Sequence, residues 1–89
     1  MYPEGILARS SILIVDDDTL LTAALSQQLQ MYAEFDVSVS HSASDALSRA
    51  KATRFSCLLL DVGLPDMDGR EACRVLRRMG IRCPVIMLT

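Results

Sequence analysis

The sequence predicts an α/β protein with an open, doubly wound parallel sheet. Short apolar runs alternate with amphipathic segments along the chain, in the order βαβαβαβ. Strands that alternate with helices over short connections form parallel sheets with right-handed crossovers. Two of the apolar runs end directly in aspartates, at the strand ends where such sheets bind ligands.

The length and composition predict a single domain. The chain has 89 residues, a mass of 9.8 kDa and 51% hydrophobic residues, which is enough for one core. Its longest apolar runs, such as 57–60, are too short to cross a bilayer, and residues 1–10 form a leader without a secretory signal. The three cysteines, Cys57, Cys73 and Cys83, lack metal-type spacing, which is typical of reduced, mostly buried thiols in a cytoplasmic protein.

The charge balance argues against direct nucleic-acid binding by this segment. Nine basic and eleven acidic residues give a net charge of −2, so we expect no broad phosphate-binding surface. Six of the eleven carboxylates lie in two short segments, Asp16 to Asp18 and Asp61 to Asp68. This grouping requires a common explanation.

The first half of the chain predicts two strands and two helices. Residues 11–15 read as a central strand buried on both faces, and residues 35–40 alternate like a strand near a sheet edge. A helix over about 18–33 follows from an apolar stripe of Leu21, Ala24, Leu25, Leu29 and Tyr32. Ser42 and Asp45 have the spacing of a capping box for a second helix that runs to about Ala52.

The second half repeats the pattern. Residues 57–60 form an apolar strand that ends at Asp61 and belongs beside the first strand; a loop and a helix over about 69–79 follow, with Gly80 as C-cap. We expect the arginines of this helix to form a solvated face: Arg70, Arg74, Arg77 and Arg78. Residues 83–88 give a fourth apolar strand, in which Pro84 lies near the start.

The two aspartate groups at the strand ends predict a cation site. Adjacent carboxylates repel each other at the end of a buried strand unless a cation or protons neutralise them. Oxygen ligands without histidine or cysteine suit Mg²⁺. Capping of the first helix accounts for one of Asp16, Asp17 and Asp18, but not for all three. Turn formation and helix capping are sufficient for Asp66 and Asp68.

Three segments resemble the successive motifs of bacterial two-component response-regulator receiver domains. They are residues 12–18 (ILIVDDD), 58–69 (LLLDVGLPDMDG) and 84–89 (PVIMLT), in the family's order and at similar spacing. The resemblance covers residues 11–89 and implies a flavodoxin-like receiver fold.

The resemblance implies a role for each matching residue. Asp61 corresponds to the phosphoacceptor, a nucleophile that takes a phosphoryl group from a sensor histidine kinase or phosphotransfer protein. Asp17 and Asp61 correspond to direct Mg²⁺ ligands, Asp16 to an acid that acts mainly through water, and Gly63 to a backbone carbonyl ligand. Thr89 corresponds to the switch hydroxyl, while Pro65 and Gly69 shape the loop and begin the next helix.

The resemblance also implies that the receiver domain is incomplete at its C-terminus. The family's fifth strand, with its lysine, and its last two helices would follow Thr89. Without them the first helix alone would cover one sheet face, so we expect apolar surface over the third and fourth strands. Self-association or a further C-terminal segment would then cover this surface, and a following DNA-binding domain would indicate transcription regulation.

Two alternative functions are also compatible with the sequence. One is an aspartate-nucleophile phosphatase of the haloacid-dehalogenase type, although Leu20 stands where that family has Thr or Val. The other is an interaction module that works without phosphorylation. The receiver resemblance favours a signalling phosphoacceptor over an enzyme with turnover. His41, the single histidine, is predicted to be a solvated loop residue.

Overall fold

The computed structural model describes residues 9–88 and has the element order predicted from the sequence. Thr89 and residues 1–8 of the predicted leader lie outside the described residues. The strands are β1 (Ser10–Val15), β2 (Phe35–Ser40), β3 (Cys57–Asp61) and β4 (Val85–Leu88), and the helices are α1 (Thr19–Gln30), α2 (Ala43–Ala52) and α3 (Gly69–Arg78).

The four strands form one parallel sheet in the order β2-β1-β3-β4. The predicted α/β architecture is confirmed, with β1 and β3 adjacent and β2 at an edge. The chain moves from β1 outward to β2 and then returns to the other side of β1 to form β3. The strand order therefore reverses between β1 and β3, and the crevice at a reversal is where open sheets bind ligands.

The core lies between the sheet and the helices α2 and α3. Alternate residues of β1 and β3 face these helices, and Leu13, Val15, Leu58 and Leu60 are at most 1% exposed. The other sheet face carries α1, which contacts β1 and β2. Ile86 of β4 lies on this second face and is 53% exposed, so the predicted apolar surface over β4 is present among the described residues.

The first helix is shorter than predicted. It spans Thr19–Gln30 rather than about 18–33, because Asp18 is a non-helical N-cap and the chain turns after Met31 to enter β2. The predicted stripe was partly wrong: Ala24 and Tyr32 are exposed, Leu25 and Leu29 are half-buried, and Thr22 is the buried residue of the helix. The side chain of Tyr32 instead packs edge-on against Phe35.

The second helix has only half of the predicted capping box. The hydroxyl of Ser42 accepts a hydrogen bond from the backbone N–H of Asp45 at 3.1 Å, as expected. The Asp45 carboxylate does not return to Ser42, because it accepts from the Ser40 hydroxyl at 2.6 Å and from Arg49 at 3.0 Å. These two donors hold the pKa of Asp45 below its usual value.

The third helix ends as predicted, but one of its arginines does not lie in solvent. Gly80 follows the helix with a φ of 87°, the left-handed conformation that favours glycine. Arg77 is half-buried and donates to the carbonyl oxygens of Ile81 at 2.9 Å and Cys83 at 2.8 Å, so it fixes the connection to β4. The other three arginines are exposed and pair with acids of the same segment.

No helix within residues 9–88 is both long and apolar enough to cross a bilayer. The three cysteines are free thiols, and each is half-buried rather than mostly buried as predicted.

Candidate functional site

Three carboxylates meet at the carboxyl edge of the sheet. One oxygen from each of Asp16, Asp17 and Asp61 can be chosen so that all three lie within 4.8 Å of one another. Asp16 and Asp17 follow β1 directly, and Asp61 is the last residue of β3, so the pairing of these two strands brings the acids together. We call these three residues the acidic cluster.

The burial of the acidic cluster is graded. Asp16 is 5% exposed, Asp61 is half-buried and Asp17 is exposed. Burial raises the pKa of the Asp16 carboxyl, and the neighbouring charges of Asp61 and Asp17 raise it further. The backbone N–H of Asp18, which donates to Asp16 at 2.9 Å, partly opposes this rise. Both burial and the neighbouring acids therefore disfavour the ionised form of Asp16, and a bound cation would offset both effects.

The donor set of the acidic cluster fits a hard divalent cation. All three side chains offer carboxylate oxygens, the ligand type that Mg²⁺ prefers, and no imidazole or thiolate belongs to the cluster. Because Asp17 and Asp61 are accessible, a bound cation could keep waters and remain open to a phosphate oxygen. The sequence placed these three residues together, and the described structure does so as well.

Asp18 is the capping residue among the three consecutive aspartates. Its carboxylate accepts from the backbone N–H groups of Leu20 at 3.1 Å and Leu21 at 3.0 Å at the start of α1. The prediction that one of the three acids caps this helix is confirmed. The phosphatase alternative rests on the Asp-x-Asp spacing of Asp16 and Asp18 after the first strand, but the Asp18 carboxylate is already bonded to the start of α1.

Gly63 lies beside the acidic cluster through its backbone. A β carbon at this position would stand 3.7 Å from the carboxylate oxygen Oδ2 of Asp61, which places the α carbon of Gly63 close to that group. Gly63 also forms an isolated antiparallel bridge with Asp68, which closes the loop between β3 and α3. Its role as a carbonyl ligand stays a prediction.

Gly69 supports the site from behind. Its N–H donates to the carbonyl oxygen of Val62 at 2.8 Å, and a β carbon here would overlap the backbone carbonyl of Asp61. The sequence predicted that Gly69 begins the helix, but not that α3 packs against the phosphoacceptor candidate at this point. One signal in the sequence could have indicated this contact: Asp68, an N-cap residue, is followed directly by Gly69 only eight positions after the strand-end Asp61.

Asp66 and Asp68 both cap helices, but different ones. Asp68 caps its own helix α3 through the N–H of Arg70 at 2.8 Å, and the Arg70 guanidinium lowers the pKa of Asp68 to about 2. Asp66 instead accepts from the N–H groups of Ala43 and Ser44 at the start of α2, both at 2.9 Å. Capping by Asp66 was predicted, but not the helix that it caps. Ala43 and Ser44 lie 23 and 22 positions before Asp66 in the chain, so no local pattern connects them to it.

His41 is exposed, as predicted for a loop residue. Its ring nitrogen Nδ1 lies 3.0 Å from the backbone carbonyl oxygen of Asp16, a contact that no local signal in the sequence indicates. Thr89, the predicted switch hydroxyl, lies outside the described residues.

Comparison with known proteins assigns this arrangement to one family. The family described as the response regulator receiver domain matches residues 12–89. The chain is 37% identical over 78 residues to the response regulator MprA of Mycobacterium avium, an alignment that covers 88% of this chain and 34% of MprA. It is 35% identical over 83 residues to the uncharacterized transcriptional regulatory protein YkoG of Bacillus subtilis, covering 93% of this chain and 36% of YkoG.

The fold agrees with these sequence matches. The chemotaxis response regulator CheY4 of Vibrio cholerae superposes with a TM-score of 0.85 at 28% identity, covering 90% of this chain and 68% of CheY4. The chain spans about one third of the length of the curated relatives it matches.

Proposed function

This chain belongs to the response regulator receiver domain family of two-component signalling, and on that premise we propose that Asp61 is its phosphoacceptor. The proposal is carried by the acidic cluster, in which Asp61 ends a central strand within 4.8 Å of Asp16 and Asp17 oxygens. Asp61 is half-buried, which leaves its carboxylate open to a donor from solvent.

The proposed reaction is a phosphoryl transfer from a phosphohistidine of a sensor histidine kinase or phosphotransfer protein. A carboxylate oxygen of Asp61 forms a bond to phosphorus as the bond from phosphorus to the imidazole nitrogen breaks. The products are an acyl phosphate on Asp61 and a free histidine on the donor. The chain's contribution is to hold the Asp61 carboxylate at a fixed point, with Gly69 packed behind its backbone.

We further propose that Mg²⁺ is the cation of the acidic cluster. Asp17 and Asp61 would bind it directly, Asp16 mainly through water, and Gly63 through its carbonyl oxygen. When bound, Mg²⁺ supplies positive charge that offsets the charge of the carboxylates and the phosphoryl oxygens. The burial of Asp16 and its closeness to Asp61 and Asp17, which together raise its pKa, support the proposal, since a bound cation would offset the negative charge gathered there.

The role of the domain within a longer protein is also a proposal. Residues 11–89 would form the receiver unit, Thr89 would contact the phosphoryl group as the switch hydroxyl, and the phosphorylated state would control an output. Transcription regulation is the output suggested by the similarity to the transcriptional regulatory protein YkoG. The free thiols agree with the reducing cytoplasm as its location.

Signalling rather than turnover is the function that this geometry supports best. The phosphatase alternative is not favoured by the family match, and Asp18 is already engaged by α1. The test is Mg²⁺-dependent phosphorylation of the chain by a small phosphodonor, and its loss in Asp61→Asn.

A further inference from the structure

One short segment contacts both loops that carry the acidic cluster. Residues 40–44, which lead from β2 into α2 and are called here the connecting segment, lie between the β1–α1 loop and the β3–α3 loop. On the first side, the N–H of Asp16 donates to the carbonyl oxygen of Ser40 at 3.1 Å. The ring of His41 lies 3.0 Å from the carbonyl oxygen of the same Asp16. The connecting segment thus holds the buried acid of the cluster by its backbone.

On the second side, the connecting segment is held by Asp66. One carboxylate oxygen of Asp66 accepts from the N–H of Ala43 and the other from the N–H of Ser44, each at 2.9 Å. Both donors belong to the first turn of α2, where N–H groups have no partner within the helix and the helix dipole favours negative charge. Bonds to an ionised carboxylate are stronger than bonds between neutral groups, so this is a firm attachment.

Asp66 belongs to the loop that carries Gly63. That loop is closed by the Gly63–Asp68 bridge, and Leu64 anchors it in the core. Asp68 bonds to its own helix, whereas Asp66 extends to a different element. The same connecting segment is therefore attached to Asp16 on one side and to the Gly63 loop on the other.

We propose that Asp66 is a positioning residue of the acidic cluster. By binding the first turn of α2, it ties the Gly63 loop to the segment that also holds Asp16, and so sets the position of Gly63 relative to the acids that the pairing of β1 and β3 brings together. The inference rests on the proposed function, because it takes the acidic cluster and Gly63 as the Mg²⁺ site. Asp66 itself contacts neither the cation nor the phosphoryl group in this account.

The test is Mg²⁺ affinity measured by titration of the ¹⁵N-labelled chain, with the backbone amide of Gly63 as the reporter in NMR spectra. Asp66→Ala is expected to weaken the affinity by roughly tenfold, the lower end of the loss typical for groups that orient metal ligands. Ser42→Ala is the matched control, because it removes a cap of the same helix without touching either loop. It is expected to leave the Kd unchanged.

Asp66→Asn provides a second measurement if Asp66→Ala does not fold. Its amide oxygen can accept one of the two bonds but carries no charge, so a smaller loss of affinity is expected. An unchanged Kd in a folded Asp66 variant, or an equal loss in Ser42→Ala, would overturn the positioning role. If the unaltered chain shows no Mg²⁺-dependent shifts, the proposed function fails, which is a different result from failure of Asp66 alone.

Discussion

Gly69 packs directly against the backbone of Asp61, the proposed phosphoacceptor. A β carbon on Gly69 would overlap the carbonyl oxygen of Asp61 and lie 2.9 Å from its carbonyl carbon. The neighbouring atoms are backbone at the end of a central strand, so they cannot move aside as a flexible side chain would. The start of α3 can therefore pack this closely against the end of β3 only because residue 69 has no side chain.

Gly69→Ala is expected to destabilise the fold by about 3 kcal/mol or more, because overpacking against backbone must displace either the helix or the strand. Two other glycines are controls. Gly63→Ala is expected to change stability by less than about 0.5 kcal/mol, since its new β carbon would meet Asp61 Oδ2 at an ordinary 3.7 Å. Gly80→Ala is expected to cost about 1 to 2 kcal/mol through its left-handed φ of 87°. Urea unfolding measures the free energy of unfolding of the three variants. A Gly69→Ala chain as stable as Gly63→Ala would contradict the close contact between Gly69 and the Asp61 backbone.

Mg²⁺ is expected to stabilise the chain against heat. A ligand that binds only the folded state adds about 2.7 kcal/mol at 100 times its Kd, which corresponds to a rise in Tm of roughly 10 to 20 °C for a domain of this size. Circular dichroism with Mg²⁺, compared with NaCl of equal ionic strength, measures the shift. Asp17→Asn should lose this response, and Asp36→Asn, which replaces an exposed acid of β2, should keep it. A full response in Asp17→Asn would argue against the proposed ligands.

Asp16→Asn is expected to increase stability at pH 7 in the absence of Mg²⁺. Folding raises the pKa of Asp16, mainly through burial, so ionisation of this group opposes folding progressively as the pH rises above 3.8 and fully once the pH exceeds the raised pKa. The amide can still accept the N–H of Asp18 but carries no charge to be buried or repelled, and the gain should be on the order of 1 kcal/mol, the free energy of roughly one pKa unit. The gain should disappear below pH 3.8, the ordinary value for this group. Denaturant midpoints at several pH values measure the gain, and a loss of stability at pH 7 would refute the free-energy cost of ionising Asp16 in the folded chain.

Acid should weaken the fold through the two capping aspartates of the β3–α3 loop. Folding lowers the pKa of Asp68 from 3.8 to about 2, so its contribution is present above 3.8 and is lost as the pH falls toward about 2. The N–H groups of Ser44 and Ala43 also lower the pKa of Asp66, so its contribution to stability is lost in acid as well. Asp68→Asn keeps an N-cap but removes this titration, so its stability should fall less over the same range. If stability falls equally with pH in the unaltered chain and in Asp68→Asn, the Asp68 carboxylate is not a source of the acid sensitivity.

The sequence predicted the sheet and the acidic cluster because both depend on local patterns. Each central strand is a short apolar run, and an aspartate directly after such a run must emerge at the carboxyl edge of a parallel sheet. The strand order then brings Asp16, Asp17 and Asp61 together without further information. The shortening of α1 was not predicted, because the stripe continues to Tyr32 while the chain has already turned toward β2.

The contacts that support the site were not predictable in the same way. Asp66 binds α2 and His41 approaches Asp16 across more than twenty positions of the chain, and each contact depends on where packing places a helix end. Arg77 lies at a position that the helical pattern gives to solvent, but its guanidinium reaches the carbonyls that lead into β4. Such hydrogen bonds depend on how the helices and strands pack in three dimensions, and the residues next to them in the sequence do not indicate their partners.

The most direct test of the phosphoacceptor assignment is intact-mass spectrometry of the chain after incubation with acetyl phosphate. We expect one phosphoryl group on the unaltered chain when Mg²⁺ is present and none when it is chelated. Asp61→Asn should remain unmodified, while Asp36→Asn, equally folded by circular dichroism, should be modified like the unaltered chain. Equal modification of Asp61→Asn, or no modification of the unaltered chain with Mg²⁺, would contradict the assignment.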